Sequence, residues 1–210
     1  MNNHDAYFTH SCVAAGYAVG FFGKYLNLSP RQAPTGAHTY FVNPGPDARS
    51  SKDSSGEYYP SYWYRITPTV NETWENTDLM YETDIITKFT NEWFDEILQE
   101  DPDRPFMAYI APHAPHGFAT PQPQYNRTFR NVSLMKTPSY NYSGLDHHWL
   151  VRQQPPLLAE EERKLELHYQ KRWECLLSVD DMLDALFAKL EAVGQLDNTI
   201  FFYTSGRQLA

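Results

Sequence analysis

The stretch PFMAYIAPHAPHG, residues 105–117, begins with an uninterrupted apolar run and ends with two histidines three positions apart, His113 and His116, each directly after a proline. A continuously apolar run of this length is the pattern of a strand covered on both faces, so helices are expected to either side of it in sequence. Upstream, Ile85, Ile86, Phe89, Trp93, Phe94, Ile97 and Leu98 recur at intervals of three and four between Thr83 and Asp101. This predicts an amphipathic helix, with Thr83 or Asp84 capping its first turn and Pro102 and Pro105 ending it. Downstream, Tyr169, Trp173, Leu176, Leu183, Leu186 and Leu190 line one face of a second helix over about 160–193, stopped by Gly194. TIFFYTS, 199–205, then reads as another buried strand. Helix, strand, helix, strand predicts an α/β fold with a largely parallel sheet flanked by helices.

The first half of the chain completes the pattern. YAVGFF, 17–22, is a short buried strand, ended by Gly23, that delivers Lys24 to a strand end. From 28 to 57 the composition turns to Pro, Gly, Ser and Asp, and only HTYFVN resembles a strand. YYPSYWYRITPTV, 58–70, has the aromatic and β-branched content of an edge strand or hairpin, limited by its prolines.

Bulk properties exclude several classes of partner. A formal charge of −9 over 210 residues, with no Lys/Arg cluster, argues against nucleic acid and anionic membranes as partners and leaves small molecules or glycans. No apolar run approaches the roughly 20 residues that span a bilayer. The first residues, MNNHDAYFTHSC, lack the basic start and apolar stretch of a secretory signal, yet N-x-S/T occurs at Asn27, Asn71, Asn126, Asn131 and Asn141. That excess points to a parent protein of the secretory pathway, lysosomal or extracellular. Cys12 and Cys175 are expected to be unpaired.

In open α/β sheets the site lies beyond the carboxyl ends of the strands. Three segments put polar groups there: Lys24, His113 with His116, and Thr204 with Ser205. A strand-end histidine beside a lysine suits an oxyanion site, one donating or releasing a proton and the other holding fixed charge. The other reading is that Pro-His-Ala-Pro-His only caps a strand, its ring nitrogens bound to backbone carbonyls; spacing leaves both open. Asp180 and Asp181 occupy adjacent helical positions about 100° apart and do not converge on one ion. Glu160, Glu161 and Glu162 complement the dipole at a helix start. The aromatic residues from Tyr58 to Tyr64 read as packing under a long loop.

Four segments in order, FFGKYLN at 21–27, YIAPHAPHGFATPQPQY at 109–125, GLDHHWLVRQ at 144–153 and KRWECLLSVDDMLDALFAKLEAVGQLDNTIFFYTS at 171–205, resemble successive parts of the sulfatase family. The nearest branch is that of the N-acetylglucosamine-6-sulfatases and arylsulfatases, and the resemblance runs from about residue 16 to residue 205. It implies an alkaline-phosphatase-like α/β domain and a sulfuric ester hydrolase acting on sulfated sugars or aryl sulfates. It also implies a formylglycine nucleophile and a calcium ion that neutralises the sulfate oxygens. By position, Lys24 would contact the sulfate, and His113 would hydrogen-bond it or protonate the departing oxygen. His116 and His148, the latter in the His147-His148 pair before Trp149, would lie near the substrate.

The chain departs from the family pattern in two places. The family's C/S-x-P-S-R nucleophile motif and an earlier aspartate pair have no counterpart, and Cys12 is followed by Val-Ala-Ala. Where sulfatases continue T-S-D-N-G, this chain reads Thr204-Ser205-Gly206-Arg207. The expectation is therefore the central part of one catalytic domain, without nucleophile or metal ligands and inactive by itself. Two alternatives stand beside it: a non-catalytic glycan-binding or regulatory paralogue, and a related phosphoester or phosphonate hydrolase.

Overall fold

The fold is given by a computed structural model that describes residues 8–45 and 55–205. Helix α1 (Phe8–Ala14) leads into β1 (Ala18–Lys24), followed by β2 (Thr39–Asn43), the single turn α2 (Ser55–Tyr58), β3 (Tyr62–Ile66) and β4 (Asn71–Glu75). Then come α3 (Glu82–Glu100), β5 (Phe106–Ala111), the short α4 (Trp149–Arg152) and the 34-residue α5 (Ala159–Ala192). The strands form one sheet in the order β4-β3-β2-β1-β5. β1 runs parallel to both β2 and β5, whereas β2-β3 and β3-β4 are antiparallel. The expected largely parallel sheet is thus a mixed one. Its parallel part is confined to three strands because β3 and β4 form a hairpin on one edge.

β1 lies between β2 and β5 and is buried on both sides. Ala18 and Phe22 face a core built with Ile85, Phe89, Trp93 and Ile97 of α3 and with Val179, Met182, Leu186 and Leu190 of α5. Val19 and Phe21 face the opposite layer with Tyr40 and Val42, covered by Cys12 and Val13 of α1. The apolar stripe that predicts α3 is the face it buries, whereas α5 buries Cys175, Val179, Met182, Leu186 and Leu190, a face that shares only Leu186 and Leu190 with the expected one and leaves Trp173 45 % exposed. The aromatic run after α2 is packing, as expected: Tyr58 and Trp63 are fully buried, and Trp63 stacks on Phe41 with ring centroids 4.8 Å apart.

Two local expectations need correction. Neither Thr83 nor Asp84 caps α3: the N-cap position is Tyr81, with no side-chain cap, and Asp84 accepts a hydrogen bond from Gln122 Nε2 at 2.8 Å. The helix starts at Glu82, two residues before the start that a Thr83 cap would give. TIFFYTS forms no strand. Ile200, Phe202 and Tyr203 are 80 %, 90 % and 74 % exposed, while Phe201 packs edge-on to Phe187 at 4.6 Å between centroids and the Thr199 hydroxyl donates to the Gln195 carbonyl. A strand needs a ladder partner, and among the described residues none lies against this segment or against the outer edge of β5.

Candidate functional site

The carboxyl ends of β1 and β5 carry the cluster. Gly23 pairs with Ala111, so Lys24 and Pro112 leave the sheet side by side and His113 follows. Gly23 makes the approach possible: its φ is +99°, and a Cβ there would come within 2.3 Å of the Ala111 carbonyl oxygen. The loop beyond β5 is tied down by tyrosines beneath it. Tyr58 donates to the His116 carbonyl at 2.6 Å and Tyr81 to the Thr120 carbonyl at 2.9 Å.

His113 is gripped at two points by one carboxylate. Its backbone N–H donates to Glu82 Oε2 at 2.8 Å, and its Nδ1 lies 2.7 Å from Glu82 Oε1. Glu82 is fully buried and the His113 side chain is 4 % exposed. An ionised carboxylate only accepts, so Nδ1 carries the proton and the tautomer is set. Nε2 is left as a buried ring nitrogen with no partner. Burial acts to lower the His113 pKa, but attraction and hydrogen bonding to Glu82 outweigh it, and the value is raised above the ordinary one. Lys24 and Glu57 also act on the ring, the first lowering and the second raising.

Lys24, His113 and His116 line one cleft of about 1960 Å³ that runs along β5. A turn closed by a 2.7 Å bond from the His116 N–H to the His113 carbonyl joins the two histidines, whose ring centroids lie 6.1 Å apart. His116 Nδ1 pairs with Glu57 Oε2 at 3.0 Å and its side chain is 43 % exposed, so it forms the rim. His148 is elsewhere: exposed, it caps α4 by accepting the Leu150 N–H on Nδ1 at 3.3 Å, and it does not line the cleft. Thr204 and Ser205 line the cleft from its far side. Asp181 accepts the Tyr125 hydroxyl and so pairs within the fold.

Glu82 was not foreseen, although a signal for it exists. It falls in register with Ile85, Ile86 and Phe89, three, four and seven positions on, so the helical period already puts a carboxylate on the buried stripe, where it must find a partner.

Neither group implied by the resemblance fits the described residues. His38, Glu96 and Glu100 bring donor atoms within 4.8 Å of one another. However, Trp93 Nε1 donates to His38 Nδ1 at 3.1 Å, so the neutral ring keeps its proton on Nε2, the atom facing Glu100. That nitrogen has no lone pair for a cation, and His38 lies at the amino end of β2, away from Lys24. Cys12 and Cys175 are both free thiols, as expected. Cys175 is wholly buried beside Tyr58 and Tyr81, burial pushing it up to about 11, and it does not line the cleft that holds Lys24 and His113.

The Sulfatase family model matches residues 3–208. N-acetylglucosamine-6-sulfatase of Homo sapiens is 34% identical over 191 residues, covering 90% of this chain and 34% of that protein. Extracellular sulfatase SULF-1 homolog of Drosophila melanogaster is 29% identical over 194 residues, covering 91% of this chain and 16% of that protein. Among solved structures, BT4656 in complex with its substrate D-glucosamine-2-N,6-O-disulfate superposes with a TM-score of 0.56 at 16% identity, over 88% of this chain and 46% of that one. That likeness bears on fold alone. The chain spans about a third of the length of the human relative it matches.

Proposed function

This chain belongs to the sulfatase family, and from that premise we propose that the whole protein hydrolyses sulfuric esters of sugars, with Lys24 and His113 at the sulfate. The observation that carries the proposal is the state of the His113 ring: Nδ1 is taken by Glu82, and Nε2 is buried and unpartnered in a residue that lines the same cleft as Lys24. A buried polar atom without a partner is costly and rare, so Nε2 is in place for a group that arrives with substrate. With its pKa raised, the ring keeps its proton further into neutral pH, and it then donates from Nε2 to a sulfate oxygen or to the oxygen of the departing sugar. Lys24 supplies fixed positive charge to the same anion in a partly enclosed space, where charge is screened less than in bulk water. His116 contacts the substrate from the rim, and His148 stays outside the proposal.

The substrate class follows from the relatives. N-acetylglucosamine-6-sulfatases are among them, and BT4656 binds a 6-O-sulfated glucosamine, so a 6-sulfated glucosamine residue of a glycan is the proposed substrate. The proposed location is the secretory pathway, lysosomal or extracellular. Asn27, Asn71, Asn126, Asn131 and Asn141 are all exposed and open to glycosylation there. In the whole protein, His113→Ala or Lys24→Ala should lower kcat/KM for N-acetylglucosamine 6-sulfate by about 100-fold or more, the usual scale for losing a positioned proton donor or charge. Unchanged turnover in both variants would refute the assignment.

A further inference from the structure

We propose that Arg172, with Lys171 and His168 beside it on α5 and Phe118 next to them, forms a second anion subsite that takes the carboxylate or sulfate of the sugar linked to the one being desulfated. The subsite extends the sulfate site of Lys24 and His113 and rests on the reading of that site as one for sulfated sugars. One face of α5 changes character along its length. In the second half of the helix this face carries Cys175, Val179, Met182, Leu186 and Leu190, all buried. Arg172 and Lys171 stand three and four residues before Cys175, and His168 three and four before those, so the same stripe turns from apolar to basic.

The change falls where α5 reaches the loop of the catalytic histidine. Cys175 packs with Tyr81 and with Ala119, in the loop that follows His113 and His116. One turn further towards the start of α5, the His168 ring lies edge-on to Phe118 with centroids 6.5 Å apart. Arg172 lines the same cleft as Lys24, His113 and His116. The basic stretch of the stripe is therefore beside the sulfate site and separate from Lys24, which leaves from the end of β1.

These groups lack a counter-charge. Elsewhere on α5, Lys164 pairs with Glu160 and Lys189 with Asp95, whereas the half-buried side chains of Lys171 and Arg172 make no ion pair among the described residues. The nearby acids of the helix are engaged on another side, Glu166 accepting the Leu134 N–H at 3.1 Å and Glu174 the Phe129 N–H at 3.2 Å. Burial, then Arg172 and Lys171, hold His168 below the ordinary histidine value, so at neutral pH its ring is uncharged and still donates one N–H. Like charges at neighbouring helical positions cost stability, and a chain of net charge −9 is rich in carboxylates that could have answered them. Cations left without one suit an anion from outside. Arg172 offers a planar fork that holds a carboxylate or a sulfate at two points. Phe118, 78 % exposed, adds an aromatic face against which the sugar ring of that anion can pack.

The test is titration calorimetry on the whole protein with three disaccharides that carry no sulfate on glucosamine, so that binding is read without turnover. They join N-acetylglucosamine to glucuronic acid, to 6-sulfated galactose or to neutral galactose. At least one acidic probe should bind about tenfold or more tighter than the neutral one, the scale of a charge-assisted hydrogen bond, and which of the two does so tells a carboxylate from a sulfate. Arg172→Gln should remove the preference and Arg172→Lys should restore part of it. The thermal midpoint of Arg172→Gln should not fall, since one of two neighbouring like charges is removed. The proposal is overturned if the three probes bind alike, if Arg172→Gln keeps the preference, or if its midpoint drops by several degrees, which would make Arg172 a structural residue. Absence of turnover of N-acetylglucosamine 6-sulfate, with the preference for an acidic probe intact, would refute the sulfatase reading and uphold the subsite.

Discussion

The grip of Glu82 on His113 decides what the site does, because one buried carboxylate fixes the backbone, the tautomer and the charge of the ring. Removing it should be costly. Glu82→Ala should destabilise the fold by about 3 kcal/mol or more, as when one partner of a buried pair is lost, measured by urea unfolding. The pH dependence has a definite sign. A histidine whose folded pKa lies above its unfolded value of about 6.5 contributes stability that is complete below that value and is lost as pH rises through the folded pKa. The stability difference between wild type and Glu82→Gln should therefore shrink as pH is raised from the acid side of 6.5 through the folded value, and a difference constant with pH would count against the charged pair. Gly23→Ala should cost about 1–3 kcal/mol from the left-handed backbone, plus the clash with Ala111, read in the same denaturation experiment. At this scale the sequence showed Lys24 and His113, because strand ends are legible from composition. It hid Glu82, since a first-turn acid looks like dipole compensation until its place on the apolar stripe is noticed.

Among the elements, legibility followed how local the cause of structure is. α3 and α5 were readable because their periodicity is written within single segments; α3 buries the face its spacing predicts, and α5 does so only at Leu186 and Leu190. Leu190→Ala, at a site 2 % exposed, should cost about 3 kcal/mol, whereas Leu158→Ala, 68 % exposed just before α5, should stay within about 0.5 kcal/mol. Thermal or urea unfolding of the two variants separates a core helix from one held mainly by its own propensity. Strands were harder. An edge strand or hairpin was expected within 58–70, which holds β3, but β4 at Asn71–Glu75 and the antiparallel pairing of β2 with β3 were not, because apolar content carries no sign for parallel or antiparallel pairing. Residues 199–205 show the same limit from the other side: propensity for a strand is local, but the ladder that makes one is not.

The molecule as a whole has two unlike ends. At the carboxyl ends of the parallel strands Lys24, His113 and His116 gather beside an open cleft, while His38, Glu96 and Glu100 meet near the amino end of β2. Because the His38 ring is held by Trp93 with its proton on the outward nitrogen, calcium or zinc at micromolar concentration should leave the unfolding midpoint of the chain unchanged; a rise would show that the ring turns to bind. The central claim concerns the other end, where lysine and histidine are held to share one sulfate. It is tested most directly by following the His113 ring nitrogens of the 210-residue chain by NMR while inorganic sulfate is added at several pH values. The account predicts that sulfate shifts the Nε2 resonance and raises the His113 pKa further, and that Lys24→Ala weakens both effects. A His113 ring that titrates identically with and without sulfate would contradict it.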